Sequence, residues 1–287
     1  MDAAHIETVG ADAFEAVYPL LKNFQTNNPQ ITRERWERLF AYTWPVEEPA
    51  RALVLRHGDR FTGIVCTMFS DRLIGGRRER RCNVNSWYVE PAYRAQSLEL
   101  MAAALSVPCD TMTALTPMRV HLPFYEQMGL QPLESGLRIL LPVPTAPLTS
   151  GFRATRDPQR IAGLLDGEEL TAFEQHRAQM CQHLLIYGKS ARCYIAFTRT
   201  SGRRVSFSHV HHIGHLDLFL AALNLVKFEL YRANATLFTM IEERFLRGHI
   251  LPFSRPAGLK APRLFRSARL RPEQIDNLHS EMVVLGV

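Results

Sequence analysis

The chain has 287 residues, of which 46% are hydrophobic and 22% are charged. This composition is typical of a globular protein and excludes an extended disordered chain, and the length allows one large domain or two modest ones. The formal net charge is +6. Such a mild excess suits a nucleotide-like anion as well as a nucleic acid, so charge does not choose between these partners.

The cysteines and the amino-terminal segment bear on the compartment. The 5 cysteines are widely spaced and include no C-x-x-C pair, which favours reduced thiols. The first residues lack a basic region followed by an apolar core, and no apolar run reaches about 18 residues, so we expect neither a signal peptide nor a membrane-spanning helix. We therefore predict a cytoplasmic protein with no membrane partner.

The first half of the chain alternates strand and helix patterns, with a loop at 27–29 and a helix-ending Gly129. The helix between the fourth and fifth of its six strands indicates a parallel β-α-β crossover. The predicted elements are strand 5–9, helices 11–24 and 33–42, hairpin strands 52–56 and 61–69, a strand ending at 89, helix 97–105, strand 110–116, helix 121–128 and strand 137–143.

The second half repeats this order after the proline-rich stretch that contains Pro142, Pro144 and Pro147. We therefore predict two domains, residues 1–145 and 146–287. The predicted elements of the second half are helices 161–165 and 170–186, hairpin strands 193–198 and 205–211 around a turn at 200–203, helix 216–231, strand 235–241, an aromatic-bearing helix at 259–266 and strand 281–285.

One strand-turn-helix stretch, residues 83–105, carries a pattern suited to an anion. An aromatic strand breaks at Glu90 and Pro91, and a helical pattern resumes at Ser97. The polar loop 94–97 precedes a helix N-terminus, where free backbone N–H groups and the helix dipole favour phosphate. The alternative is that Ser97 is an ordinary N-cap and Arg94 a solvated loop residue.

Two motifs in this half resemble those of the GNAT superfamily of acyl-CoA N-acyltransferases. The family's splayed strand reads roughly V-x-P-x-Y-R and precedes an R-x-x-G-x-G/A loop that holds the pyrophosphate of coenzyme A. Ser97 and Glu99 stand where that loop has glycines. The segment 124–130, FYEQMGL, is similar to the family's F-Y-E-K-x-G-F. The residues that match the first motif are Val89, Pro91, Tyr93 and Arg94.

The resemblance implies an α/β fold (α+β, with a mixed sheet). It predicts two GNAT-like halves, each with a central, mostly antiparallel mixed sheet flanked by helices. Residues 1–145 would be the acyl-CoA-binding domain and residues 146–287 a degenerate second copy, since the junction 212–216 has no arginine. The implied reaction transfers an acetyl or other acyl group from a coenzyme A thioester to an amine acceptor, with no metal.

The same resemblance assigns roles to individual residues. Tyr88 and Val89 would offer backbone groups to the pantetheine arm, and Tyr125 would be the general acid that protonates the leaving thiolate. The general base stays open among Glu134, Asp71 and Asn85, with Glu134 as our choice. The residues predicted to hold the cofactor phosphates are Arg94, Ala95, Gln96, Ser97 and Leu98.

Other patterns carry less weight. His209 and His211 share a strand face within an H-x-H-H-x-x-H run, but no carboxylate or cysteine pattern accompanies them, so we predict no metal. The basic C-terminal region lacks a recognition helix or interleaved exposed aromatics, so we do not predict nucleic acid binding. Two alternatives remain. One is a non-catalytic GNAT-like binding protein in which Glu99 has abolished cofactor affinity, and the other is a basic module for nucleic acid or an acidic partner.

Overall fold

The computed structural model describes residues 4–26, 31–47, 50–143, 151–201 and 205–286. Several features expected from the sequence lie outside the described residues. These are the loop 27–29, the linker prolines Pro144 and Pro147, the boundary between residues 145 and 146, and residues 202 and 203 of a hairpin turn.

The strands and helices follow the alternation expected from the sequence. The strands are β1 (His5–Val9), β2 (Ala52–His57), β3 (Arg60–Ile74), β4 (Arg77–Val89), β5 (Thr111–Ala114), β6 (Gln131–Leu140), β7 (Arg153–Thr155), β8 (Gln182–Tyr187), β9 (Arg192–Ser201), β10 (Ser206–Ile213), β11 (Phe238–Glu242) and β12 (Ser254–Ser267). The α-helices are α1 (Phe14–Leu21), α2 (Arg33–Ala41), α3 (Ser97–Leu105), α4 (Leu122–Gln127), α5 (Pro158–Leu164), α6 (Gly167–His176), α7 (Leu216–Ala221), α8 (Leu223–Asn234) and α9 (Glu281–Val284).

The chain forms two compact units, and neither unit is a single continuous segment. Unit 1 consists of Met1–Leu133, Arg263–Leu270 and His279–Leu285, and unit 2 consists of Glu134–Pro262, Arg271–Leu278 and Gly286–Val287. This division is drawn from the packing of the backbone. The predicted boundary at 145/146 concerns the repeat along the sequence and stays a prediction.

Unit 1 contains a mixed sheet in the order β1-β2-β3-β4-β5-β12. β4 and β5 are parallel, as the predicted crossover through α3 requires, and the other neighbours are antiparallel. The strand that closes this sheet is β12, whose Leu264 and Phe265 pair with Ala114 and Thr113 of β5. The second half of the sequence therefore supplies the closing strand of unit 1.

Unit 2 repeats the arrangement in the order β6-β11-β10-β9-β8-β7. β10 and β11 are parallel and are connected through α7 and α8, and β6 closes the sheet by pairing antiparallel with β11. Its irregularity also repeats that of unit 1. β4 has a bulge opposite Ile64–Cys66, and β10 has one between Val210 and His212. The predicted fold class, two halves that each have a mostly antiparallel mixed sheet with flanking helices, is confirmed.

Three predicted elements are wrong. Residues 259–266 belong to strand β12, whose residues 264–267 pair antiparallel with β5. Residues 281–285 were expected to be a strand, but 281–284 form the short helix α9. The predicted helix 170–186 ends at His176, and the apolar run 182–187 pairs with β7 and β9 as a buried strand, which periodicity alone does not separate from a buried helix.

Helix α3 packs close to the sheet of unit 1. Its Leu100 and Met101 are fully buried in a cluster with Leu55 and Val89. Gly63 on β3 makes this approach possible, because a Cβ there would meet these neighbours. The glycine therefore fixes how near α3 sits to the strands it covers. No helix in the described ranges combines the length and the apolar character needed to cross a membrane.

We predict that Gly63→Ala destabilises the protein by about 1 to 3 kcal/mol, the usual effect of overpacking a core. A methyl group at this position would lie 2.9 Å from Val89 Cγ2 and 3.2 Å from Leu100 Cδ2. Chemical denaturation measures the change. Gly258→Ala is the control, since no heavy atom lies within 4 Å of its added Cβ. Equal stability of the two variants would contradict this packing argument.

Candidate functional site

The site in unit 1 begins where β4 and β5 stop pairing. The two strands are joined from Arg81–Thr111 to Asn83–Thr113, after which β4 continues to Val89 without pairing to β5. The bulge in β4 falls in this stretch, and Ser86 there adopts a left-handed backbone conformation with φ of 54°. β4 therefore runs on beyond its pairing with β5, as the splayed strand implied by the sequence requires. We call the side of this stretch that has no β5 partner, beside Tyr88 and Val89, the gap.

Tyr88 and Val89 occupy the free stretch of β4. Val89 is buried and pairs on its other side with Gly63, while Tyr88 is half-buried and its ring lies 6.1 Å from that of Phe24. On the side that faces β5 earlier in the strand, neither residue pairs with β5. A ligand that adds to a strand by backbone hydrogen bonds requires an unpaired edge of this kind.

The segment between β4 and α3 differs from the predicted loop. Residues 91–96 form a 3-10 helix that runs directly into α3, and Ser97 donates its backbone N–H to the carbonyl of Arg94. One amide of the expected phosphate cradle is thus already bonded. Arg94, Ala95 and Leu98 are exposed, whereas Gln96 and Ser97 are half-buried. The Glu99 side chain is exposed as well.

Tyr125 lies on α4 and is 5% exposed. Burial, together with the nearby charge of Glu281, raises the pKa of its phenol well above the usual value. The helix ends as expected at Gly129, which has φ of 80° and donates its N–H to Glu126. Burial and the charge of Glu281 therefore keep the Tyr125 hydroxyl in its protonated form.

A chain of polar side chains runs along the diverging part of β4. Ser86 Oγ donates to Asn85 Oδ1 at 2.8 Å, and Asn85 Nδ2 donates to Asn83 Oδ1 at 3.2 Å. Asn83 Nδ2 in turn donates to Thr113 Oγ1 on β5 at 3.2 Å. The three residues Asn83, Asn85 and Thr113 are buried, and buried polar groups of this kind persist when each finds a partner.

Glu281 joins this region from the C-terminal part of the chain. It is 3% exposed, and its Oε1 accepts a hydrogen bond of 2.6 Å from Thr116 Oγ1, just beyond β5. Its Oε2 is buried and makes no hydrogen bond. Sequence reasoning missed this residue, although a single acid directly before the apolar run 282–285 was an available signal.

Glu134, our predicted base, is in unit 2 and is engaged by the backbone. Its Oε1 accepts from the N–H groups of Ser135 and Gly136, both at 2.8 Å, and its Oε2 accepts from the N–H of Arg244 at 2.7 Å. With three backbone N–H donors, this carboxylate stabilises the local backbone. Asp71, the second candidate, accepts from Arg78 at 2.9 Å. The structure thus does not bring Glu134 and Tyr125 into one unit.

Two histidines of the β10 run, His211 and His212, bond to side chains of unit 2. His211 Nε2 lies 2.8 Å from Thr198 Oγ1, and His212 lies between Asp276 (Nδ1 to Oδ2, 3.0 Å) and Glu169 (Nε2 to either oxygen, 3.1 Å). Burial alone would lower the pKa of His212, but the two carboxylates outweigh it and raise that pKa to about 9. In the ranges that the structure describes, no group of three or more His, Cys, Asp or Glu side chains is arranged to hold a metal.

The arginines of the β3–β4 hairpin line a shallow groove of about 470 Å³ in unit 1. Their charge is largely matched: Arg78 contacts Asp71 and Glu47, each within 3.0 Å. Arg269 contacts Glu79 and Asp110 in the same way. This mixed-charge surface differs from the uniformly basic patch that nucleic acid binding requires. The lining residues are Glu47, Arg77, Arg78, Arg80, Asp110 and Arg269.

Comparison with solved structures identifies the fold. A protein from Enterococcus faecalis aligns over 95% of this chain and 74% of its own length, with a TM-score of 0.61 and 12% identity. A GCN5-related N-acetyltransferase from Anabaena variabilis aligns over 92% and 72%, with a TM-score of 0.55 and 10% identity. One from Kribbella flavida aligns over 93% and 71%, with a TM-score of 0.52 and 12% identity.

Sequence comparison adds no closer relative. No family model matches the chain, and no curated protein matches it. The structural alignments nevertheless extend over nearly the whole chain, and therefore over both halves. The protein thus has the GNAT fold, as its two motifs indicated, in the tandem arrangement that the repeated order of elements predicted. At 10–12% identity the likeness establishes the fold and leaves the activity to be argued from the site.

The raised pKa of His212 predicts a pH-dependent stability. Since the folded pKa is about 9 and the ordinary value is 6.5, the His212 contribution is complete below pH 6.5 and is lost as the pH rises through 9. The shift corresponds to about 3 kcal/mol. Denaturant unfolding from pH 6 to 9.5 should show this loss in the wild type and a flatter curve in His212→Gln.

His249→Gln is the matched control, because His249 is an exposed histidine of the same unit. This variant should keep the wild-type slope of stability against pH. A His212→Gln curve parallel to that of the wild type would contradict the proposed clamp between Glu169 and Asp276.

Proposed function

We propose that the protein is a GNAT-type N-acyltransferase that moves an acetyl or other acyl group from a coenzyme A thioester to an amine. The observation that carries the proposal is the gap, which begins where β4–β5 pairing ends at Asn83. Tyr125 belongs to the same core cluster as Val89, the last residue of β4. The residue assignments below are part of this proposal.

The thioester would lie along the free edge of β4. Backbone groups of Tyr88 and Val89 are available there, because neither residue pairs with β5. An extended pantetheine arm would add to this edge much as a peptide adds to a sheet, with its carbonyl polarised by a backbone N–H. Direct transfer then needs position and polarisation more than covalent machinery.

The phosphates of the cofactor would meet the start of α3. Arg94 is exposed there, and the first turn of a nine-residue helix favours negative charge through its dipole and its N–H groups. The bonded Ser97 amide reduces the number of free donors, which places more of the task on Arg94 and on the later amides. Glu99 is exposed, and the proposal requires its carboxylate to turn to solvent when phosphates bind.

Tyr125 would protonate the departing sulfur. Its raised pKa keeps the phenol protonated at neutral pH, so that a proton is in place when the C–S bond breaks. The five cysteines are unpaired thiols. This state suits the cytoplasm, where we propose that the protein works on a metabolite or protein amine.

We predict that coenzyme A at millimolar concentration raises the melting temperature of the protein, because a ligand that binds only the folded state stabilises it by about 2.7 kcal/mol at 100 times its Kd. Arg94→Ala should weaken this stabilisation. Differential scanning fluorimetry at several ligand concentrations provides the measurement.

Arg255→Ala, which removes an exposed arginine of β12, should respond to coenzyme A like the wild type. A melting temperature that does not move with ligand would contradict acyl-CoA binding and favour a non-catalytic binding protein. Steep, salt-dependent binding of a polynucleotide with no cofactor effect would favour the basic module.

We also predict that Tyr125→Phe lowers kcat by about 100-fold or more, in the range usual for loss of a general acid. The affinity for coenzyme A should stay unchanged, because the substitution removes one hydroxyl and keeps the buried ring. Thiol release from acetyl-CoA in the presence of a primary amine gives kcat. An unchanged kcat would remove Tyr125 from the mechanism.

A further inference from the structure

Glu281 is a buried carboxylate that the fold leaves half satisfied. One oxygen accepts a hydrogen bond from Thr116, and the other, Oε2, is buried with no hydrogen bond. Leaving such an atom without a partner costs about 1 to 3 kcal/mol, and more when the group is charged. A structural role explains the Thr116 contact but gives no reason to keep Oε2 unpaired.

The position of Glu281 places it beside the candidate reaction centre. Thr116, its partner, is exposed and follows the end of β5, the strand that separates from β4. The charge of Glu281 acts on the phenol of Tyr125 and on the thiol of Cys66, which faces the bulge of β4. A buried acid reached through an exposed hydroxyl is placed to exchange protons with a ligand in the gap.

The groups around Glu281 are few and lie on known elements. Tyr125 on α4 and Cys66 on β3 are near it. Hydrogen bonds from Thr116 and from its own backbone, the charge of Arg263 on β12 and a hydrogen bond from Asn83 on β4 favour the ionised form. Burial outweighs these contributions and raises the pKa of Glu281 above its ordinary value. From α2, which packs on α9, Arg35 donates to the carbonyl of Leu285 at 3.2 Å.

We propose that Glu281 is the general base of the transfer, with Oε2 receiving the proton of the acceptor ammonium. This inference rests on the proposed N-acyltransferase function. It replaces Glu134, whose oxygens are already held by three backbone amides. It also predicts an acceptor that enters as a cation, because a buried carboxylate with an unpaired oxygen attracts an ammonium group.

The proton balance of the step is as follows. The acceptor ammonium gives a first proton to Glu281, which releases it to solvent by way of the exposed Thr116 side. The neutral nitrogen forms a bond to the acyl carbon while the C–S bond breaks, and its electron pair leaves with sulfur. Sulfur takes the phenolic proton of Tyr125. The second proton lost from nitrogen passes to Glu281 and then to the Tyr125 phenolate, which restores both residues. The products are the amide, the thiol and one released proton.

The test compares Glu281→Gln, Glu281→Ala and the wild type with acetyl-CoA and a panel of primary amines, namely L-lysine, spermidine, tyramine and glucosamine. We expect Glu281→Gln to lower kcat about 100-fold while KM for acetyl-CoA stays unchanged. The acidic limb of the kcat/KM profile against pH should disappear. Added formate should restore part of the activity of Glu281→Ala, as a small carboxylate that replaces the missing one.

The control is Glu37→Gln, an exposed glutamate of α2, which should keep wild-type rates and pH dependence. If Glu281→Gln retains the wild-type kcat, or loses stability while the acidic limb and kcat stay in place, Glu281 is structural and this inference is overturned. If the wild type binds no coenzyme A, the proposed function itself fails and the base assignment fails with it. If the wild type binds coenzyme A but transfers to none of the four amines, the base assignment is overturned while cofactor binding stands.

Discussion

The structure of the candidate site depends on one loss of pairing between two parallel strands. β4 and β5 share a ladder from Arg81 to Asn83 and then separate, while β4 continues for six further residues. Buried backbone groups ordinarily keep a partner, so a strand that runs on beyond its neighbour is costly unless another group completes it. The bulge at Ser86 produces the change in direction, and α3, held close by Gly63, covers the strand from one face. The gap is therefore a built feature that a ligand can complete.

The tandem arrangement also explains why the two compact units are not consecutive in sequence. Each half of the chain forms a hairpin, a parallel crossover and then a further strand. In unit 1 the closing place beside β5 is taken by β12, and in unit 2 the place beside β11 is taken by β6. Each unit therefore depends on the other half of the sequence for a strand. A chain cut near residue 145 would leave β5 and β11 without these partners.

The sequence predicted local structure well where pattern and turn chemistry agree. The helix at 97–105, the crossover and the cap at Gly129 rest on local signals and were confirmed. The sequence-based prediction failed where pairing with a distant strand determines the secondary structure. Residues 259–266 carry an aromatic and several basic residues that suit a helix, but pairing with β5 makes them a strand. Exchange of closing strands leaves no mark in the local pattern.

The site was predictable in part for the same reason. Tyr125 and the strand ending at Val89 belong to motifs of contiguous residues, so the sequence located them. Glu281 lies 156 residues after Tyr125 in the chain, and only folding brings its charge to act on that phenol. Glu134 was predicted as the base from its strand position, and in the structure its carboxylate accepts three backbone N–H groups. The packing of the backbone puts Glu134 in unit 2.

The two units differ in how the region of the bulge accommodates a buried charge. In unit 2, His212 follows the bulge of β10 and is held by a carboxylate at each ring nitrogen, so its charge is compensated on both sides. In unit 1, the corresponding bulge near Ser86 is bordered by neutral amides and hydroxyls, and the nearby acid Glu281 keeps one oxygen unpaired. A charge held on both sides contributes to stability and leaves no atom to offer a ligand. Glu281 is compensated only in part, by Arg263 and its hydrogen bonds, and Oε2 is left to meet a cation. This difference is why we place the chemistry in unit 1 and a structural role in unit 2.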